Sequence, residues 1–374
     1  MSDNLFEQLF EMLQTPGPVN WRLAREVTKS IAGQTEPLEP ALAEEYVELG
    51  LAADLRLAGG PTPGVASVNG PEPYDRTAWV DANQQAYRYL MEPMAEKLGS
   101  TQLDAESPLA AMMQPMAPAI LGMQAGTMIG FMSHRVLGQF DAGLPPLDVD
   151  RSILVVPNVE AFAADHGIDR RQVRLWATLH EMVHQAVMSL DSVSDHITET
   201  IDRFFAGVEI DTSGLMNTLS DLQDPEQLES SLAAPGGMAS LLGATSRPED
   251  GADIQAIVAF LEGYGDYAVR LAAADLLPDL TRIEEANGLR RTEPTQAEQF
   301  LQQILGLELN RHQAGVGTDF CVEVVRRWGD AALQRIWQEP RNMPRRDELS
   351  DPVGWAARVL LDDFPEGLTA ESDG

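Results

Sequence analysis

The chain has 374 residues, enough for one large or two ordinary domains around a sizeable core. Its 58 acidic residues against 26 basic ones give a formal net charge of -32, which repels phosphate backbones and anionic lipid heads and so excludes nucleic acid and membrane surfaces as expected partners; oligomeric state is not encoded. One cysteine, Cys321, excludes an intrachain disulfide framework and a multi-cysteine metal site, and the acidic start MSDNLFEQLFEMLQ lacks the marks of a secretory signal, so a cytoplasmic protein is expected.

In chain order, residues 1–100 read as an N-terminal helical region. NWRLAREVTKSIAG carries Trp21, Leu23, Ala24, Val27 and Ile31 at helical spacing, and PALAEEYVELGLAADLRLAG continues the pattern. A Gly/Pro-rich break over 59–75 precedes a third helical stretch from about Thr77 to Leu98. A second region, 101–361, opens with Pro108 to Phe140, which has no charge before Arg135 and is long enough for a bilayer. Its prolines, its glutamines and its lack of basic flanks point instead to a buried helix. Gly122, Gly126 and Gly130, four residues apart, give that helix a smooth face on which another can lie closely.

Arg151 to Val159 reads as the clearest strand, closed by Pro157 and Asn158. Within it Ser152–Val156 is expected either as a cleft edge to which an extended peptide adds or as an interior strand. Asp169, with Gln172 three residues on, opens a helix to about Met188. The acidic, proline-broken stretch 191–253 reads as an insertion, Ile254–Leu277 as the next strong helix, and 362–374 as an acidic disordered tail. Cys321 is expected as a small core residue. Arg326–Leu349 concentrates basic charge, expected first in internal salt bridges and second in an anion contact.

The helix from Asp169 carries His180-Glu181-Met182-Val183-His184, an H-E-x-x-H pattern. Residues four apart share a helix face, so both imidazoles reach one metal ion while Glu181 projects beside them, suited to holding the attacking water. Val173, Trp176, Ala177, Val183 and Val187 turn that face inward. In Ile254–Leu277, Glu262 falls in the middle of the apolar face and Asp266 lies one turn later. Two carboxylates there each cost several kcal/mol unless a cation accompanies them. Glu262 is therefore the expected third metal ligand, and Asp266 the acceptor of a ligating histidine's outer N–H. Gly263 and Gly265 are expected to let the two helices close around the ion.

With H-E-x-x-H completed downstream by EGYGD, Glu262 to Asp266, the sequence resembles a zincin of the gluzincin type exemplified by thermolysin. GQF after a glycine-spaced helix, LVVPN, LWATLHEMVHQ and LEGYGDYAV are similar to the actinobacterial family of zincin-like metallopeptidases, some of whose members are labelled hydrolases associated with a deazaflavin coenzyme. The similarity runs from Val19 to Leu361. It implies a mainly α, zincin-like metallopeptidase fold with a small β element beside the active-site helix, Zn2+ as cofactor, and a peptide or protein substrate. It names no physiological substrate. The sequence departs from the thermolysin pattern in the long stretch between His184 and Glu262, and the transition-state donor is left open among Tyr264, Tyr267, His196, His312 and Arg311.

The mechanism so read is hydrolysis with Glu181 as general base. A zinc-binding scaffold without turnover, a metal-free helical interaction protein, and a hydrolase of non-peptide amides or esters stand beside it as alternatives.

Overall fold

The computed structural model describes residues 17–60, 62–64, 69–100, 117–142, 146, 151–207, 209–210, 244–245, 251–293 and 313–361. The expectations for 108–116, for most of the 191–253 insertion, for Arg311 and His312 and for the 362–374 tail lie outside them. The helices among the described residues are α1 (Trp21–Ala32), α2 (Pro40–Leu57), α3 (Arg76–Asn83), α4 (Arg88–Ser100), α5 (Ala117–Met132), α6 (Val156–Asp165), α7 (Arg170–Met188), α8 (Asp191–Gly207), α9 (Ala252–Ala273), α10 (Leu280–Thr292), α11 (Ala314–Trp328), α12 (Asp330–Gln334) and α13 (Pro352–Leu360). Against them stand two small sheets. β1 (Glu72–Tyr74) pairs in parallel with β2 (Ile153–Val155), and β3 (Glu209–Ile210) pairs antiparallel with β4 (Ala244–Thr245). The protein is thus mainly helical, with a small β element against the helix that carries H-E-x-x-H.

One hydrophobic cluster draws residues from α1 through α13, so the N-terminal helices share a core with the rest. Close packing of α1 on α5 depends on the spaced glycines. A Cβ at Gly122 would stand 2.3 Å from the Asn20 carbonyl oxygen, one at Gly126 2.4 Å from that of Ala24, and one at Gly130 2.7 Å from Ile31 Cβ. The small buried face of α1, Ala24 and Thr28, fills the resulting trough, and Thr28 Oγ1 donates to Gly126 O at 3.0 Å. Gly126→Ala should therefore cost about 1–3 kcal/mol in urea unfolding, because backbone cannot retreat as a side chain can. A stability equal to wild type would show that α1 and α5 are not in this contact.

The single helix expected from Thr77 to Leu98 is two, α3 and α4, separated by a turn at 84–87. The strand expected to Val159 stops at Val155. Val156 starts α6 instead, with Pro157 in its first turn, where a missing N–H costs nothing. Nor is the strand a free cleft edge. β2 is fully buried, with β1 on one side and the 137–139 segment on the other: Gln139 N donates to Ile153 O (2.8 Å) and Val155 N to Leu137 O (2.9 Å). It is the interior strand of the two alternatives. Within the insertion, α8 is an ordinary core helix that buries Ile197, Ile201 and Phe204.

The expected salt bridging in the basic C-terminal stretch is present: Arg326 and Arg327 pair with Glu323, and Arg341 with Glu339. Cys321 is buried, and burial raises its thiol well above the ordinary range, as for an inert core residue. Among the described residues no helix is long and apolar enough to cross a membrane.

Candidate metal centre

Asp169 caps α7 by accepting the Gln172 N–H at 3.0 Å, and the helix then carries His180 and His184 one turn apart on the face that meets α9. Trp176 packs on the His180 ring with centroids 5.4 Å apart, and the two imidazole centroids are 4.4 Å apart. Glu262 reaches the same point from α9. One donor atom from each of His180, His184 and Glu262 lies within 4.8 Å of the others, and all three residues are buried.

The two glycines of α9 divide the task expected of both. Gly265 is the one at the centre, where a Cβ would stand 2.5 Å from His184 Nε2. Gly263 faces away from it and against α11, where a Cβ would meet Thr318 N at 2.4 Å and Ala314 O at 2.5 Å. The close approach at Gly263 seats α9 on α11, and that at Gly265 admits the histidine.

Burial is the main cause that holds His180 well below the ordinary imidazole range, aided by His184 and Arg291; it also lowers His184, against the opposing charge of Glu262. Both rings are therefore neutral at pH 7, the form that offers a lone pair to a metal. Glu181 moves the other way. Burial first, then the negative charge of Asp141, raise it well above the carboxylate range, while backbone N–H groups of Phe140 and Gln139 oppose the shift.

Those N–H groups belong to a segment that spacing arguments did not assign, Leu137 to Asp141 after α5. Asp141 fixes it from inside, accepting Leu137 N at 2.8 Å and Arg290 Nη2 at 2.6 Å. Gln139 anchors it to α3 by a reciprocal amide pair with Asn83, at 2.6 and 2.9 Å. Phe140 N then donates to Glu181, at 3.2 Å to Oε2 and 3.4 Å to Oε1. Gly138 lies so close that a Cβ there would fall 2.2 Å from the Glu181 carboxylate. Tyr87 is buried nearby. Its hydroxyl has no hydrogen-bond partner among the described residues, and burial, with the charges of Glu181 and Asp141, raises its pKa.

Asp266 accepts from Arg291 Nη1 at 3.1 Å rather than from a histidine N–H; burial raises its pKa against that partner. Arg291, at the end of α10, also donates through Nη2 to Glu262 Oε2 at 2.5 Å and to His180 Nε2 at 3.3 Å. It was missed because LRRT reads as basic residues favoured at a helix C-terminus. A usable signal was present: Ile283, Asn287 and Arg291 recur every four residues, and all three are buried. Of the expected transition-state donors, Tyr264 and Tyr267 pack against one another and Tyr264 against Trp337, and His196 lies on α8 near Arg203 and Asp253.

Two neutral imidazoles and a carboxylate from two facing helices form a three-ligand set that leaves a fourth position open, and this suits a divalent metal. The buried Nε2 of His184 has no hydrogen-bond partner among the described residues, so a metal would satisfy an atom that the chain leaves unsatisfied.

Comparison with known proteins agrees with this geometry. A family model described as zincin-like metallopeptidase matches residues 19–356. No curated protein matches the chain. Among solved structures, a protein from Chloroflexus aurantiacus described as a "putative hydrolase with a novel fold" superposes with a TM-score of 0.63 at 23% identity, over 92% of this chain and 99% of that one. At that identity the likeness shows a shared fold.

Proposed function

The chain belongs to the zincin-like metallopeptidase family, and from that premise we propose that it is a zinc-dependent hydrolase, a metallopeptidase that cleaves peptide bonds with Glu181 as general base. The observation that carries the reading is the convergence of His180, His184 and Glu262 within 4.8 Å, with Glu181 one residue along α7. A zinc ion bound there supplies a Lewis acid, able to lower the pKa of water and to polarise a carbonyl.

The chain's own residues supply the rest. His180, His184 and Glu262 would hold the ion. Glu181, beside the two histidines on α7, takes a proton from the attacking water and returns it to the leaving amine. The N–H of Phe140 holds that carboxylate in place. Gly138 leaves the space in which it sits.

This last contact yields an expected result. Gly138→Ala forces the Glu181 carboxylate to move by roughly an ångström, and a displacement of that size lowers kcat by about 10²-fold. Zinc content should not change, because no ligand is touched. Metal analysis beside kinetics checks this, and full activity in the variant would remove the segment from the mechanism.

Burial of all three ligands also favours a second reading, in which a small amide or ester rather than a polypeptide reaches the centre. The test is a zinc measurement on protein purified without chelator, coupled to a peptide-library cleavage screen and a panel of small amides. One equivalent of zinc with cleavage of peptides supports the first reading. Zinc with small amides alone turned over supports the second, and protein without zinc in every preparation overturns both.

A further inference from the structure

Arg291 has no place in the three-ligand scheme, yet its guanidinium lies inside the ligand set. Nη2 donates both to His180 Nε2 and to Glu262 Oε2, and Nη1 to Asp266, with the side chain almost wholly buried. Two of these acceptors belong to residues of the metal set. To accept from Arg291, His180 Nε2 must carry a lone pair, and one lone pair cannot serve a guanidinium N–H and a metal ion at once.

A guanidinium does not lose its proton in a protein, so it cannot leave this place by becoming neutral.

We propose that Arg291 is the internal counter-cation of the metal-free centre, holding the ligand set together until a divalent metal displaces it and thereby setting the affinity of the centre for that metal. The proposal rests on the metal-centre reading above. Arg291 pairs with the buried carboxylate of Glu262 and with that of Asp266, and so offsets the cost of placing their charge in the interior. A metal must compete with that interaction, so its apparent affinity is lowered by the fraction of the time in which Arg291 occupies the site. The Asp266 contact uses no ligand of the metal set and takes no part in the competition.

The test compares wild type, Arg291→Met and Arg291→Lys. Zinc affinity is measured by competition with a chromophoric chelator, and thermal unfolding is followed with and without zinc. Arg291→Met should bind zinc about tenfold or more tightly than wild type, melt lower without zinc, and gain more in Tm on adding it. Arg291→Lys keeps the charge but has one donor group in place of the fork, so it should fall between the two; it also serves if Arg291→Met does not fold. Variants that bind zinc no more tightly than wild type overturn the proposal and leave the metal centre standing. Zinc bound by a variant and not by wild type supports it. Failure of all three proteins to bind zinc overturns the metal-centre reading and this proposal with it.

Discussion

Glu181→Gln should lower kcat/KM on a cleaved peptide by about 10²–10⁴-fold while zinc content stays at the wild-type level. The amide has the shape of the carboxylate and keeps an oxygen that accepts the Phe140 N–H, so the 137–141 segment retains its anchor. What it loses is the ability to take a proton. Stability should not suffer, because the substitution removes a buried acid whose charged form is disfavoured by burial and by Asp141. Kinetics and metal analysis on the same preparation separate the outcomes. Unchanged cleavage takes the base role from Glu181, and loss of zinc makes it a ligand.

The part of the centre that lies along helices could be read from the sequence, because one turn is a fixed distance in residues. His180 and His184 announce themselves by spacing, and Glu262 by standing on an apolar face where a charge needs a partner. The Asp169 cap and the glycine trough of α5 are local in the same sense and fall where expected. What could not be read joins residues far apart in the chain with no period between them: Phe140 to Glu181 across 41 positions, and Arg291 to His180 across 111. Strand limits were missed for another reason. Val156 and Pro157 have β-like neighbours, but a proline suits the first turn of a helix equally well, and tertiary packing decided between the two. The glycines of α9 show the same limit, since sequence told that a helix must come close there but not which helix met which glycine.

Glu262→Gln should weaken zinc binding by at least about 10²-fold, since removing a ligand costs more than the 10–100-fold typical of residues that only support one. Chelator competition measures it, and wild-type affinity in the variant would remove α9 from the centre. The same substitution acts on the metal-free protein through Arg291, whose pairing with Glu262 is buried on both sides. Breaking a buried ion pair costs about 3–5 kcal/mol, and here the lower end is expected because Asp266 still accepts from the guanidinium. Urea unfolding in the presence of chelator reads that loss. Glu262 and Arg291 variants therefore destabilise the metal-free chain alike but shift zinc affinity in opposite directions, down without the ligand and up without its competitor. Combining Glu262→Gln with Arg291→Met should recover part of the metal-free stability, because no unpaired charge is left between the two positions. It should not recover zinc binding to the wild-type level, because a competitor's departure does not replace a missing carboxylate. A double variant whose zinc affinity and metal-free stability rose together would mean that zinc affinity follows the packing of α7, α9 and α10 rather than the competition for His180 and Glu262.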